Sequence, residues 1–333
     1  MFLKGKIGLL FVFLFAGVLA FVLAHISNVG IQRESISRAT ASDVNYVKSI
    51  FDEAQLLDTR TLSAVLEVIS RDSSIQEIFL EEDREKLYEH AYPLFQSLKD
   101  QYDITHWYFI LPTGEVFLRM HNSEIYGDQV SRLTFWQARD KGTLSSGIEL
   151  GKTAYALRVV MPYFAGDELI GYLELGEKID HFLEILKSET GSDFVFVADK
   201  RYLDEEKWSS VSQVAGRDNN WNDLDDYLVI SEIAKEGSAL RCFSEENMKM
   251  GERGQVLFDR FERGGNDFRC AGIALLDAGE RQSGLLLSSI DISDHINIAK
   301  NANRIILLFS AALFILTILI SICYFLLREH KGR

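Results

Sequence analysis

Two apolar runs without a single charged residue, 7–24 and 305–327, stand at opposite ends of the chain. The first is 18 residues long and the second 23. A hydrocarbon core about 30 Å thick is crossed by ~20 helical residues, so both are long enough to span it. Val22-Leu23-Ala24 also admits a cleaved signal peptide. The first run exceeds the about 7–15 apolar residues of a signal h-region, however, and reads better as an uncleaved anchor. Lys4 and Lys6 precede the first run, while Arg328, Lys331 and Arg333 follow the second. Basic residues stay on the cytoplasmic side, so both ends are expected in the cytoplasm and the segment between them outside. With those five and Glu329 set aside, 30 Lys+Arg face 48 Asp+Glu, which places the acidic mass outside. In a bacterium this is a two-pass inner-membrane protein with a periplasmic domain.

The net charge of −14 excludes an electrostatic nucleic-acid binder, which needs Lys and Arg to displace phosphate counterions. Three prolines in 333 residues argue against disordered or mucin-like segments. Of three cysteines, Cys323 lies in the second apolar run; Cys242 and Cys270 fall outside it and are free to bridge or to remain buried thiols.

Between Gly30 and Pro93 lie 62 residues without glycine or proline. Val44, Val47, Phe51, Ala54, Leu57, Leu62, Val65, Leu66 and Ile69 recur mostly every three to four residues, the stripe of an amphipathic helix continuing from the first span. Forty residues of it reach about 60 Å. The stripe can pack on its own domain, form a dimer seam, or do both. Asp72-Ser73-Ser74 is expected to interrupt the helix, with Ser74 capping a second helix over 75–102 and Glu77 completing the box.

The hydrophobic period then shortens to two. Trp107-Tyr108-Phe109-Ile110-Leu111, a turn at Pro112-Thr113-Gly114, and segments 115–122, 147–150, 154–164 and 169–176 predict five strands behind a leading helix. A second copy is expected over 193–199, 255–261, 266–276 and 283–292. Both copies close on an apolar strand followed by Asp-His at a helix start, Asp180-His181 and Asp294-His295, where the aspartate reads as a cap. The fold class is therefore α+β, a long N-terminal helix with two antiparallel-sheet modules between two transmembrane helices. The expected division is a tail (1–6), first span (7–26), helical stalk (27–104), membrane-distal module (105–186), membrane-proximal module (187–303), second span (304–327) and tail (328–333).

This layout resembles the double Cache sensor domains of bacterial histidine kinases, chemoreceptors and cyclases. The resemblance covers about residues 30–300 and is strongest at Phe117-Leu118-Arg119-Met120-His121-Asn122, Tyr126-Gly127-Asp128 and Arg132. It continues through Gly147-Ile148-Glu149-Leu150-Gly151, Leu157-Arg158-Val159-Val160-Met161-Pro162 and Gly171-Tyr172-Leu173-Glu174-Leu175-Gly176. Arg119, His121 and Gly127 are also similar to the arginine-histidine-glycine run of citrate and C4-dicarboxylate sensor kinases. The resemblance implies two PAS-like sheets, the membrane-distal one holding a ligand.

The residues carry their own chemistry. In an extended strand Phe117, Arg119 and His121 share a face. A guanidinium beside an imidazole makes an anion clamp, because guanidinium binds carboxylate bidentately. Arg132 and Arg158 can join it, with Tyr126, Asp128 and Glu149 completing the candidate ligand set. Against this, each arginine can have an internal partner: Asp128 for Arg132, and Glu149 or Glu174 for Arg158, the latter across consecutive strands. Asp218-Asn219-Asn220-Trp221-Asn222 starts like a calcium loop, but Asp223 and Val229 stand where glycine and glutamate are required. No HExxH, CxxCH, Walker or GxSxG motif occurs, so no enzyme, cofactor or metal is expected. The expectation is a homodimeric transmembrane receptor for a small anionic ligand, most plausibly a carboxylate. Only six residues follow Leu327, so a kinase or cyclase output would belong to a longer chain or a cytoplasmic or transmembrane partner. The competing expectation is a membrane-anchored periplasmic protein-interaction or assembly protein.

Overall fold

The computed structural model describes residues 2–214, 218–233, 248 and 256–330. Two compact units divide the chain: Met1–Asp43, Phe261–Phe268 and Asp291–Arg333 form one, Val44–Arg260 and Arg269–Ile290 the other.

The first unit holds the start of helix α1 (Phe2–Ser70) and the closing helix α7 (Ser293–His330). Both are long and apolar enough to cross a membrane, with mean hydropathy of 1.6 and 2.3 in their most apolar stretches. Asn28 donates to Asn303 Oδ1 (2.8 Å), and His295 Nε2 lies 3.4 Å from Asp43. The start of α7 is tied down where the Asp267 N–H donates to Ser293 Oγ and the Ile292 N–H to the Asp267 carbonyl.

In the second unit α1 continues unbroken, as the lack of glycine and proline predicts. Val44, Val47, Phe51, Ala54, Leu62, Leu66 and Ile69 are buried, and Phe51 packs edge-on against Phe182 at 5.5 Å. Leu57 departs from the expected stripe and is 53% exposed. The inward position between Ala54 and Leu62 belongs to Asp58 instead. The helix breaks where expected, but Asp72 rather than Ser74 caps α2 (Ser73–Leu80), its carboxylate accepting from the N–H groups of Ser74 and Ile75. An aspartate two residues earlier reaches both amides, so Ser74 is left inside the first turn. The helix expected over 75–102 is two helices: Glu82 takes φ 56°, and Asp83 caps α3 (Arg84–Tyr102). That second Asp cap is the signal that apolar periodicity passes over.

The distal module is a five-stranded antiparallel sheet in the order β2-β1-β5-β4-β3. Its strands are β1 (His106–Ile110), β2 (Val116–Arg119), β3 (Ser145–Leu150), β4 (Tyr155–Ala165) and β5 (Glu168–Lys178). Helix α4 (Leu133–Lys141), absent from the sequence expectation, packs Phe135 on Tyr172 at 5.1 Å. Helix α5 (Asp180–Thr190) follows β5. Asp180 does not cap it: Ile179 stands at the N-cap with no side-chain bond.

The proximal module repeats the plan in the order β7-β6-β10-β9-β8. Its strands are β6 (Asp193–Asp199), β7 (Tyr227–Ile233), β8 (Val256–Arg263), β9 (Asn266–Leu276) and β10 (Gln282–Asp291), with α6 (Glu205–Val214) between β6 and β7. The repeat is therefore complete, β7 being the member the sequence reading missed. The calcium-like loop is a largely exposed connection between α6 and β7, in which Asn220 accepts from Trp208 Nε1 and donates to the Val229 carbonyl. Cys270 is disulfide-bonded and Cys323 is free; Cys242 lies outside the described residues. The modules meet at Gly147 on β3, where a Cβ would come within 2.7 Å of the Ala278 side chain. The close approach lets the Ala278 N–H donate to the Ile148 carbonyl (2.8 Å) and Gln137 donate to the Ala278 carbonyl (2.7 Å).

Candidate functional site

A cavity of about 740 Å³ opens against the distal sheet, lined by Tyr108, Arg119, His121, Arg132, Glu149 and Arg158 among others, with Arg201 and Arg281 reaching it from the proximal module. That volume lies within the range of small-molecule pockets. Strand register builds its floor. Tyr108 stands opposite Arg119 on β2 and opposite Glu174 on β5. Arg119, Arg132 and Arg158 place their guanidinium carbons 5.3, 4.5 and 5.8 Å from the Tyr108 ring centre. The electron-rich face of one tyrosine thus sits among three cations.

Glu174 is fully buried and holds two of them. Arg132 donates from Nε and Nη2 to its Oε2 (3.0 and 2.6 Å), and Arg158 donates from Nη1 to its Oε1 (2.5 Å). Arg158 reaches it by crossing β5 at Gly176, where a Cβ would lie 3.4 Å from its guanidinium. Arg119 donates to Asp128 (2.7 Å) and to the Ile125 carbonyl (2.6 Å). That bond holds the Asp128 carboxyl below its ordinary value. Of the expected internal pairs, Arg158 with Glu174 is present, whereas Asp128 serves Arg119 and not Arg132. A guanidinium carries five N–H donors, so each arginine keeps some beyond these bonds.

Glu149 accepts from the N–H and hydroxyl of Thr134, both at 2.7 Å, and so caps α4 from a neighbouring strand. Burial pushes its carboxyl up against those two bonds. His106 and His121 pack edge-on at 4.6 Å. Burial, and then the positive charge of Arg158, lower His106 to about 2 and His121 to about 4, so both are neutral at physiological pH.

Two placements correct the sequence reading. Strand β2 ends at Arg119, so His121 stands on the following turn. A register shift between Phe109 and Ile110 puts Phe117 against Phe79 (5.3 Å), the ring that also meets Phe109, instead of beside Arg119. Tyr126 lies under the Arg84 guanidinium, 3.3 Å from ring centre to carbon, and does not line the cavity. The sequence reading passed over Tyr108 and His106. Alternation along β1 put both on one face, but nothing local marked that face as the arginine side. Glu174 was foreseen only as a partner for Arg158.

The double sensory domain of two-component sensor kinases matches residues 54–296. The chain belongs to this double Cache family. Among solved structures, the periplasmic domain of Vibrio cholerae LuxQ is 14% identical with a TM-score of 0.41, over 74% of this chain and 96% of that one. The Campylobacter jejuni chemoreceptor Tlp3 ligand-binding domain, in complex with 4-methylisoleucine, is 12% identical with a TM-score of 0.42, over 82% and 93%. The sensor domain of the V. cholerae histidine kinase DctB is 12% identical with a TM-score of 0.39, over 73% and 98%. No curated protein sequence matches. Cache domains of this family are extracytoplasmic sensors.

Proposed function

We propose that this double Cache protein is a two-pass transmembrane receptor, not itself an enzyme, whose outer domain takes a small carboxylate-bearing ligand in the 740 Å³ cavity. The observation that carries the reading is the ring of Arg119, Arg132 and Arg158 around Tyr108. Only Asp128 and Glu174 are ion-paired with these guanidinium groups among the described residues, and both flanking imidazoles are neutral. A ligand carboxylate can use the remaining N–H donors and replace Asp128, which is 56% exposed, on Arg119. Helix α1 runs from the first apolar stretch to Ser70, and α7 follows β10 directly, so both ends of the sensor lead into apolar helices. Displacements of about 1–2 Å along packed helices suffice for such signals. Tyr46, Leu57 and Val68, exposed at 11-residue spacing on α1, supply an apolar face for a homodimer.

The test is thermal unfolding of the full chain in lipid nanodiscs, screened against carboxylates, amino acids and phosphates. Ligand at a hundred times its Kd adds about 2.7 kcal/mol. Arg119→Ala should abolish the shift, and Arg119→Lys, which keeps the charge but loses the fork, should weaken it. A screen in which no carboxylate or amino acid shifts the protein, or an Arg119→Ala variant that responds like the parent, refutes the proposal.

A further inference from the structure

Away from the cavity, the stripe that α1 turns toward the domain is interrupted by one carboxylate, Asp58. Opposite it stand Glu177 near the end of β5 and His181 in the first turn of α5. One ligating atom from each of the three lies within 4.8 Å of the other two. We propose that Asp58, Glu177 and His181 form a divalent-cation site of the zinc type that pins helix α1 to the closing strand and helix of the distal module.

Three observations carry this beyond a cluster of acids. Glu177 is only 5% exposed, and its Oε1 is buried without a hydrogen-bond partner among the described residues. A carboxylate oxygen so placed is costly unless something is supplied to it. His181 Nδ1 lies 2.9 Å from the Lys178 carbonyl, while Nε2 faces Asp58 at 2.8 Å. A metal-binding histidine is held in this way, its far N–H given to a backbone carbonyl; here Nε2 donates to Asp58, and an ion would take the place of that proton. Finally, no lysine or arginine is ion-paired with Asp58 or Glu177 among the described residues; Asp58 is ion-paired with His181.

The donor set selects the ion. One imidazole and two carboxylates suit Zn2+, which takes bonds of about 2.0–2.2 Å to both atom types and leaves a fourth position to water. In a tetrahedron such bonds separate ligand atoms by ~3.3 Å, a value between the 2.8 Å from Asp58 to His181 and the 4.8 Å that bounds the cluster. Ca2+ demands six to eight oxygens, and Mg2+ prefers oxygen and retained water, so both fit poorly. The site lies apart from the cavity, so it stands whether or not a carboxylate binds there. Cation occupancy would act as a second input on the same helix.

The experiment uses the full chain, purified without a histidine tag, stripped with chelator and titrated with ZnCl2 in nanodiscs. Calorimetry should show one site per chain, absorption at the zinc edge should show one nitrogen and oxygen ligands without sulfur, and Zn2+ but not Mg2+ or Ca2+ should raise the Tm. Glu177→Gln and His181→Gln should each weaken binding beyond the about 10–100-fold typical of outer-shell changes. His181 is partly exposed, so its variant remains informative should the buried Glu177 variant unfold. A chain that binds no zinc overturns the proposal. So does zinc that persists unchanged in His181→Gln, which would place the ion elsewhere.

Discussion

Replacing Glu174 with glutamine tests the electrostatic frame of the cavity most directly. The carboxylate is 0% exposed and accepts three N–H bonds, two from Arg132 and one from Arg158, whose side chains are 18% and 8% exposed. Glutamine keeps the shape and one carbonyl acceptor but turns an NH2 toward one guanidinium and leaves two largely buried cations uncompensated. Breaking a buried pair in this way costs about 3–5 kcal/mol, a large share of the about 5–15 kcal/mol that holds most domains together. At roughly 2–4 °C per kcal/mol for a domain of this size, the Tm should fall by about 6–20 °C. The full chain in nanodiscs can be unfolded in urea, with the fluorescence of buried Trp107 and Trp208 as the signal. A Glu174→Gln/Arg158→Met double variant removes one stranded cation and should recover part of the loss, a coupling of about 0.5–3 kcal/mol. A single variant costing under about 1 kcal/mol, or a double variant whose loss equals the sum of the singles, would refute the paired-arginine frame.

Topology is checked with Lys152→Cys, an exposed position of the distal module, in a background lacking Cys323. An impermeant maleimide should label it in intact cells whose outer envelope is permeabilised, and protection until the inner membrane is lysed would invert the arrangement. His106 sets a pH dependence. Its folded value, lowered to about 2, lies below the about 6.5 of the unfolded chain, so below pH 6.5 only the unfolded state takes the proton. The stability due to neutral His106 is therefore present above about pH 6.5 and lost as pH falls toward the folded value, by up to about 1.4 kcal/mol per unit. His106→Gln should gain on the parent between pH 6.5 and 5 in urea unfolding; parallel curves would show that the imidazole is not held neutral.

The long helix α1, the closing helix α7 and most strands were legible because their signal is local. A run free of glycine and proline marked α1, and short apolar runs marked the strands on either side of the Pro112-Thr113-Gly114 turn. The elements that escaped lack that signal. Helix α4 is short, and its cap comes from Glu149, eight residues beyond its end; in Leu133-Thr134-Phe135-Trp136 nothing announces it. The break at Glu82 is made by a left-handed backbone and an aspartate cap that apolar spacing does not register.

The cavity was half legible for a related reason. Arg119 and His121 could be named from one strand and its turn, but what surrounds them depends on sheet order. Strand β5 is inserted between β1 and β4, which brings Tyr108, Arg158 and Glu174 together from positions 108, 158 and 174. No periodicity within any one strand encodes that adjacency. The same nonlocality hid the Asp58 cluster. Read along α1, Asp58 is a polar residue next to the apolar Leu57, and a 3.6-residue period accommodates either as the inward position. Only the arrival of Glu177 and His181, more than a hundred residues later, decides that the carboxylate faces in and Leu57 faces out. A helix that turns a leucine to solvent in order to bury an acid gives up about 1.5–3 kcal/mol of apolar burial at that position. The ion pair with His181 on the facing helix offsets part of it, and the cation proposed for Asp58, Glu177 and His181 would add to that offset.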